Sequence, residues 1–111
     1  MKTWPAFIGL GANLDDPAGQ IERALNAIAG LPRTALVKRS ALYLSRPMGP
    51  ADQPDYVNAV AQVDTGLPAA ELLTELLAIE RRQGRQRSAD QRNGPRTLDL
   101  DLLLYADLVC D

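Results

Sequence analysis

Apolar and polar residues alternate with a period of two in two parts of the chain, 56–65 and 97–105. This alternation is typical of strands that bury one face. Two other segments, 6–10 and 34–43, are rich in small and branched apolar residues and also favour strands. The pattern therefore predicts four strands, of which 56–65 has the most regular alternation.

A period close to 3.6 residues separates these strands in two places and predicts two helices. The first begins at Asp16-Pro17, a capping residue followed by a proline at the first helical position, and ends at Gly30. The second begins after Pro68 and ends at Gly84. Each helix has an apolar stripe, formed by Ile21, Ala24, Leu25 and Ile28 in the first and by Leu72, Leu73, Leu76, Leu77 and Ile79 in the second.

The order of the predicted elements is βαββαβ, which corresponds to two split βαβ units. This order predicts an α+β fold, a ferredoxin-like sandwich in which a four-stranded antiparallel sheet carries both helices on one face. A chain of 111 residues can bury one core of this kind. Residues 1–111 are therefore expected to form a single domain.

Composition excludes several classes of function. The chain is 46% hydrophobic and 23% charged, as globular proteins are, and it has no histidine and one cysteine, Cys110. It therefore lacks the ligands of a His/Cys zinc site and the partner for an internal disulfide. No apolar segment reaches the length of a membrane span and no signal peptide is recognisable, so a cytoplasmic location away from membranes is expected.

Charge is distributed unevenly, although the formal net charge is only −2. The segment 81–96 contains six arginines and one acid. The arginines are Arg81, Arg82, Arg85, Arg87, Arg92 and Arg96. A basic segment on an acidic chain predicts a local anion site rather than general nucleic-acid binding. The first two arginines are explained as well by the helix dipole, and a solvated charge run remains open for those in the loop.

Asp99 and Asp101 are candidate metal ligands. Two residues apart on a strand, they point to the same face, about 6.6 Å apart along the backbone. Hard oxygen donors at this spacing suit one or two Mg²⁺ ions for phosphoryl chemistry. The alternative is that they line the solvated face of the strand. The preceding turn, Gly94-Pro95, favours the metal site because it delivers Arg96 beside the two acids, where it can neutralise a phosphate.

Tyr56 and Asn58 form a second pair with the same spacing, on the face opposite the valine and alanine residues of their strand. An aromatic ring beside a carboxamide can stack on a flat heterocycle and hydrogen-bond its amide-like edge, although ordinary surface residues would give the same pattern. The preceding loop, 46–55, contains three prolines and a glycine and is therefore conformationally restricted. If the apolar faces of both strands meet the helices, this pair and the aspartates share the open face of the sheet.

Three segments of the chain resemble the hydroxymethyldihydropterin pyrophosphokinase family. The segment 92–103, Arg-Asn-Gly-Pro-Arg-Thr-Leu-Asp-Leu-Asp-Leu-Leu, is similar to the long and specific signature of that family. The segments 9–14 and 49–58 are similar to its other landmarks, in the same order. The resemblance extends over nearly the whole chain. It implies an ATP- and Mg²⁺-dependent enzyme of folate synthesis that transfers pyrophosphate to the hydroxymethyl group of 6-hydroxymethyl-7,8-dihydropterin and releases AMP.

The same resemblance implies roles for residues in the pterin pocket. Tyr56 would stack on the pterin and Asn58 would hydrogen-bond its edge. Backbone groups around Ser45 to Met48 would complete the pocket. The substrates would be small molecules, and the protein is expected to be a monomer that binds neither nucleic acid nor membrane.

On the nucleotide side, the resemblance implies that Asp99 and Asp101 hold two Mg²⁺ ions and, with Arg96, form the catalytic group. Arg87 and Arg96 would bind the triphosphate of ATP, the co-substrate. Two further residues would lie near the nucleotide, and these are Glu80 and Leu102.

Members of this family continue beyond the position of Asp111 and contribute there a second aromatic residue for the pterin and a His and an Arg for ATP. The resemblance therefore implies a truncated domain, and it leaves open a non-catalytic ferredoxin-like module that binds a nucleotide or a pterin. A different Asp-x-Asp metal enzyme, such as a nucleotidyl or glycosyl transferase, is a further alternative. The Tyr56/Asn58 pair and the proline-rich loop favour the pterin.

Overall fold

Strands and helices follow one another in the order βαβββαββ in a computed structural model of the chain. The structure describes residues 2–13, 16–46, 55–84, 98–106 and 108–109. The elements are β1 (Trp4–Ala12), α1 (Pro17–Ala29), β2 (Thr34–Arg39), β3 (Tyr43–Ser45), β4 (Tyr56–Thr65), α2 (Ala69–Gly84), β5 (Asp99–Tyr105) and β6 (Leu108–Val109).

The strands form one antiparallel sheet with the order β2-β4-β1-β5-β6. Strand β3 also pairs with β4, beyond the stretch that β2 occupies, so the six strands of the described residues fill five positions across the sheet. The predicted ferredoxin-like α+β fold is confirmed, but the prediction of four strands is wrong. One addition is β6, which pairs with Leu104 and Tyr105 at the end of β5.

The second addition arises because the predicted strand 34–43 is divided in two at Ser40. The backbone N–H of Ser40 donates to the carbonyl of Val60 at 2.8 Å, and the Ser40 hydroxyl accepts the N–H of Val60 at 2.9 Å. A side-chain oxygen thus replaces a backbone carbonyl as the partner of β4. This local substitution ends β2 before β3 begins, as serine side chains do when they compete with backbone hydrogen bonds.

The core lies between the helices and one face of the sheet. Alternate residues of β1 and β4 are buried there against the apolar stripes of both helices, in one continuous cluster. Its members from the strands include Ala6, Ile8, Leu10, Ala12, Ala59, Ala61, Val63 and Leu100, and those from the helices include Ile21, Ala24, Leu25, Ile28, Leu72, Leu76 and Ile79. Both helices therefore cover the same face, as the sequence predicts.

Helix α1 begins and ends at the predicted residues. The Asp16 carboxylate accepts the N–H of Gly19 at 3.3 Å, which caps the helix, and Pro17 occupies the first turn. A Cβ atom at position 19 would overlap the Asp16 carboxylate, so a larger residue there would require the capping carboxylate to move. The helix stops at Ala29, and the N–H of Gly30 bonds to its last carbonyls. Neither α1 nor α2, the helices of the described residues, has the length and apolarity needed to cross a membrane.

Strand β5 contains an irregularity that changes which face its last residues occupy. Its register with β1 shifts so that Leu103 is skipped and Tyr105 pairs with Ala6, a core residue. Tyr105 therefore packs against the core, its hydroxyl donates to the carbonyl of Leu67 at 2.6 Å, and its ring stacks on Trp4. The alternation predicted for 97–105 would place Tyr105 on the same face as Asp99 and Asp101, and this extension of the pattern is wrong because a bulge breaks the period of two.

An ion pair connects α1 to the edge strand β2. The Arg39 guanidinium donates to the Glu22 carboxylate at 2.7 Å. This hydrogen bond lowers the pKa of Glu22 and raises that of Arg39 from their ordinary values. Glu22 is at the surface, so the pair is screened by solvent and contributes little to stability.

Candidate functional site

The sheet face away from α1 and α2, called the outer face below, contains both predicted residue pairs. Burial alternates along β4, where Ala59 is 1% exposed and Asn58 and Tyr56 are partly exposed. It alternates in the same way at the start of β5, where Leu100 is 4% exposed while Asp99 is partly exposed. The structure thus brings the two pairs to one surface, as the alternation of residues along the two strands predicts.

Cross-strand register makes the two pairs neighbours. Gly11 of β1 pairs with Asn58 on one side and with Asp99 on the other, so the three residues form one row across the sheet. Two residues along β1, Gly9 pairs with Asp101. Adjacent strands lie 4.7–4.9 Å apart, so the backbones of Asn58 and Asp99 are separated by roughly 10 Å. A small molecule can therefore contact both strands at once.

Two glycines of β1, Gly9 and Gly11, lie between the two pairs. A Cβ atom on Gly11 would lie 3.3 Å from Asn58 Oδ1 and 3.8 Å from Tyr56 Cδ1. One on Gly9 would lie 3.4 Å from Leu103 Cδ1. Both Asn58 and Tyr56 thus extend toward Gly11. The Leu103 side chain covers Gly9, whereas Gly11 lies beside the Tyr56/Asn58 pair. The two glycines are called the glycine strip below, and at Gly11 the absence of a side chain lets a flat ligand approach the backbone of the sheet.

The Asn58 carboxamide is held in place by the edge strand β3. Its Nδ2 donates to Ser45 Oγ at 2.8 Å, with longer contacts of 3.4 Å to the carbonyls of Tyr43 and Tyr56. The amino group is therefore directed away from β1, and Oδ1 faces Gly11. The carboxamide presents an acceptor to the glycine strip, and the Ser45 hydroxyl keeps its own hydrogen for a further donor contact.

The chemistry of the aspartates suits a hard divalent cation. Asp99 is partly exposed and Asp101 is exposed, and both supply oxygen donors on the same face. Within the described residues, no group of three or more His, Cys, Asp or Glu side chains is arranged to hold a metal. Mg²⁺ typically uses one or two carboxylates together with substrate phosphates rather than a cage made by the protein alone. Two carboxylates on an open surface fit that mode of binding.

Glu80 and Leu102 lie on the other side of β5. The Glu80 carboxylate accepts the backbone N–H of Leu100 at 2.6 Å, and the Leu102 side chain packs against the core. Their contact with a nucleotide stays a prediction. Met48, Arg87 and Arg96, the other predicted site residues, lie outside the described residues.

Two glycines of the site, Gly9 and Gly11, have no role assigned from the sequence, where they are only part of a motif. Ser45 is predicted as a pterin-pocket residue through its backbone, and the contribution of its hydroxyl is the addition. The signal that identifies them is cross-strand register, because it determines which residues of adjacent strands lie side by side. Register depends on pairing between distant segments, and alternation within each segment does not define it.

The fold is thus a ferredoxin-like α+β sandwich with a polar site on its outer face. Residues 7–110 match the family model described as 7,8-dihydro-6-hydroxymethylpterin-pyrophosphokinase (HPPK), and the chain belongs to this family.

Proteins named 2-amino-4-hydroxy-6-hydroxymethyldihydropteridine pyrophosphokinase are similar to the chain. The one from Pseudomonas aeruginosa is 53% identical over 105 residues, which cover 95% of this chain and 64% of that protein. The one from Haemophilus influenzae is 54% identical over 102 residues, covering 92% and 62%. One from Pseudomonas putida is 51% identical over 106 residues, covering 96% and 86%. The chain thus spans 62–64% of the length of the first two relatives.

Proposed function

We propose that this chain binds a reduced pterin and Mg²⁺-ATP on its outer face for transfer of pyrophosphate from ATP to 6-hydroxymethyl-7,8-dihydropterin, a step of folate synthesis that releases AMP. The observation that supports this most strongly is the row formed by Asn58, Gly11 and Asp99. In this row the Asn58 carboxamide, which suits a heterocycle, lies across Gly11 from the Asp99 carboxylate, which suits a metal ion. Membership of the family and the names of the relatives support the same reaction.

The pterin half of the site consists of Tyr56, Asn58 and Ser45. The phenol ring offers an aromatic face for stacking, which favours a flat bicyclic ligand. Toward the ligand, Asn58 Oδ1 can accept and the Ser45 hydroxyl can donate. The hydrogen bond of 2.8 Å from Asn58 Nδ2 to Ser45 Oγ holds both side chains in place. The pyrimidine edge of a pterin carries an N–H donor and a carbonyl acceptor, so one complementary partner is available for each. Backbone groups up to Met48 belong to the same proposed pocket.

The metal half consists of Asp99 and Asp101, which would hold two Mg²⁺ ions in the proposed complex. Bound Mg²⁺ would supply positive charge to the phosphates of ATP as the pyrophosphoryl group moves. Arg87 and Arg96 are proposed to bind the same phosphates, and Glu80 and Leu102 to lie near the nucleotide. The arginines suit this task because a guanidinium matches the geometry of a phosphate.

In the proposed reaction, the hydroxymethyl oxygen of the pterin attacks the β-phosphorus of ATP and the bond from that phosphorus to the α-phosphate oxygen breaks. AMP leaves with that oxygen, and the hydroxyl proton is released. Asp99 belongs to the same row as Gly11 and Asn58, which supports the proposal that it contacts the attacking hydroxyl. The chain acts mainly by orienting the two substrates and by offsetting charge, because a protein accelerates phosphoryl transfer chiefly in these two ways.

The test compares Asp101→Asn with Asp64→Asn, since Asp64 is a carboxylate on β4 that pairs with Pro5, far from the glycine strip. AMP formed from ATP and the pterin is measured at saturating Mg²⁺. We expect the first variant to lose AMP formation at least a hundredfold and the second to keep it, as removal of a metal carboxylate weakens the charge stabilisation that the reaction needs. Activity retained by Asp101→Asn contradicts the metal assignment.

A second candidate function is a binding module without turnover. Such a module would bind the pterin or the nucleotide through the same residues and form no AMP. The proposal further includes a monomeric, cytoplasmic protein with small molecules as its ligands.

A further inference from the structure

A carboxylate from helix α2 bonds to the backbone of β5 between the two aspartates. Glu80 Oε2 accepts the N–H of Leu100 at 2.6 Å. Leu100 is 4% exposed, so this amide lies at a buried part of the strand. The contact joins elements that are 20 residues apart in the chain.

Strand geometry explains why the amide of Leu100 needs a partner outside β1. Along an antiparallel strand, successive N–H groups point to opposite sides. The amide of Leu100 points toward Glu80, away from β1, and β6 pairs only with Leu104 and Tyr105 farther along β5. A buried amide without a partner is strongly unfavourable. Glu80 therefore supplies the acceptor that a neighbouring strand would otherwise provide.

The position of Glu80 separates this role from that of a metal ligand. Glu80 extends from α2, which packs on the core side of the sheet, whereas Asp99 and Asp101 belong to the outer face. In the described residues the three carboxylates do not form a cluster suited to a metal. Glu80 thus reaches the aspartates through the backbone of the strand that carries them.

We propose that Glu80 is a positioning residue, which holds the segment of β5 around Leu100 so that Asp99 and Asp101 keep a common face and a fixed separation. This inference rests on the proposed metal role of the two aspartates. Partners that orient metal ligands in this way typically change metal affinity 10- to 100-fold when they are removed. The pterin pair lies on β4, which Glu80 does not contact through this bond, so pterin binding is a separate readout.

The experiment measures Mn²⁺ binding to the 111-residue chain by electron paramagnetic resonance. Because Glu80 is itself proposed to lie near the nucleotide, every variant is first saturated with α,β-methylene-ATP, in which the bond that breaks in the proposed reaction is blocked. Glu80→Gln keeps an oxygen acceptor of the same reach but removes the charge, whereas Glu80→Asp keeps the charge and shortens the reach. We expect Glu80→Gln to bind Mn²⁺ within about threefold of the wild type, and Glu80→Asp and Glu80→Ala to bind it about tenfold or more weakly. The control is Glu75→Ala, which removes the same charge from the same helix and is expected to leave Mn²⁺ binding unchanged.

Pterin affinity, measured by fluorescence titration of the same variants, is expected to stay within about twofold of the wild type. The opposite order, with Glu80→Gln weakened and Glu80→Asp intact, would show that charge rather than the hydrogen bond matters and would overturn the inference. Equal losses of Mn²⁺ and pterin binding would overturn it as well, since they indicate general destabilisation. Unchanged Mn²⁺ binding in Asp101→Asn would instead refute the metal role in the proposed function.

Discussion

Replacing Gly11 by alanine adds one methyl group to the glycine strip between the two halves of the site. No glycine in the described residues has a positive φ, so the backbone at this position accepts an alanine. The added Cβ would lie 3.3 Å from Asn58 Oδ1, which is tighter than an ordinary contact. The carboxamide must then move by a few tenths of an ångström, against its 2.8 Å hydrogen bond to Ser45.

The expected loss is that of one hydrogen bond to the pterin, because Asn58 Oδ1 is the acceptor that the methyl group displaces. Such a bond is worth about 1–1.5 kcal/mol, so pterin affinity should fall roughly five- to twelvefold. Stability should change little. Alanine removes a backbone entropy cost of about 0.5–1 kcal/mol that glycine carries in a strand, and this offsets the tight contact.

The assay is fluorescence titration of the reduced pterin, with thermal denaturation measured on the same samples. Gly9→Ala is the matched control. Its Cβ would meet Leu103, whose side chain is 38% exposed and can move aside, so affinity should change less than threefold, under about 0.7 kcal/mol. Wild-type affinity in Gly11→Ala would refute the proposed position of the pterin, and so would a loss of affinity accompanied by an equal loss of stability.

Two further predictions concern the fold. Tyr105→Phe should lower the free energy of unfolding by about 0.5–1.5 kcal/mol, measured by urea denaturation, because it removes the bond to the Leu67 carbonyl; no change would contradict the bulge that turns Tyr105 to the core. Glu22→Gln tests the ion pair with Arg39 through pH. The hydrogen bond from Arg39 lowers the pKa of Glu22 in the folded chain. The ion pair therefore stabilises the fold above the unfolded pKa of Glu22, about 4.3, and this stabilisation is lost as the pH falls through the lower pKa of the folded chain. The difference in melting temperature between the wild type and this variant should therefore be small at pH 7 and vanish in acid, and a difference that grows in acid would be inconsistent with the pair.

Local patterns define much of this fold because each predicted element has a signal within a few residues. The predicted strand 56–65 is β4, and α1 begins and ends at the predicted capping residues. Alternation also assigns Tyr56 and Asp101 to the same face. These properties depend on period and on capping chemistry, which neighbouring residues determine.

Other features of the site depend on contacts between distant segments. The division of the edge strand needs the hydroxyl of Ser40 to meet β4, and the bulge at Leu103 needs the register between β5 and β1. The bond from Glu80 to Leu100 requires α2 to pack beside β5. Alternation within one segment carries no information about these pairings, so the sequence predicts the pairs of site residues but not the strip of glycine between them.

The reaction itself is tested most directly by following ATP with ³¹P NMR in the presence of Mg²⁺, 6-hydroxymethyl-7,8-dihydropterin and the 111-residue chain in excess over ATP. An excess of the chain makes a single slow turnover visible. We predict equal amounts of AMP and of the pterin diphosphate ester. Formation of ADP, or binding of both substrates without any AMP, would contradict pyrophosphate transfer by this chain.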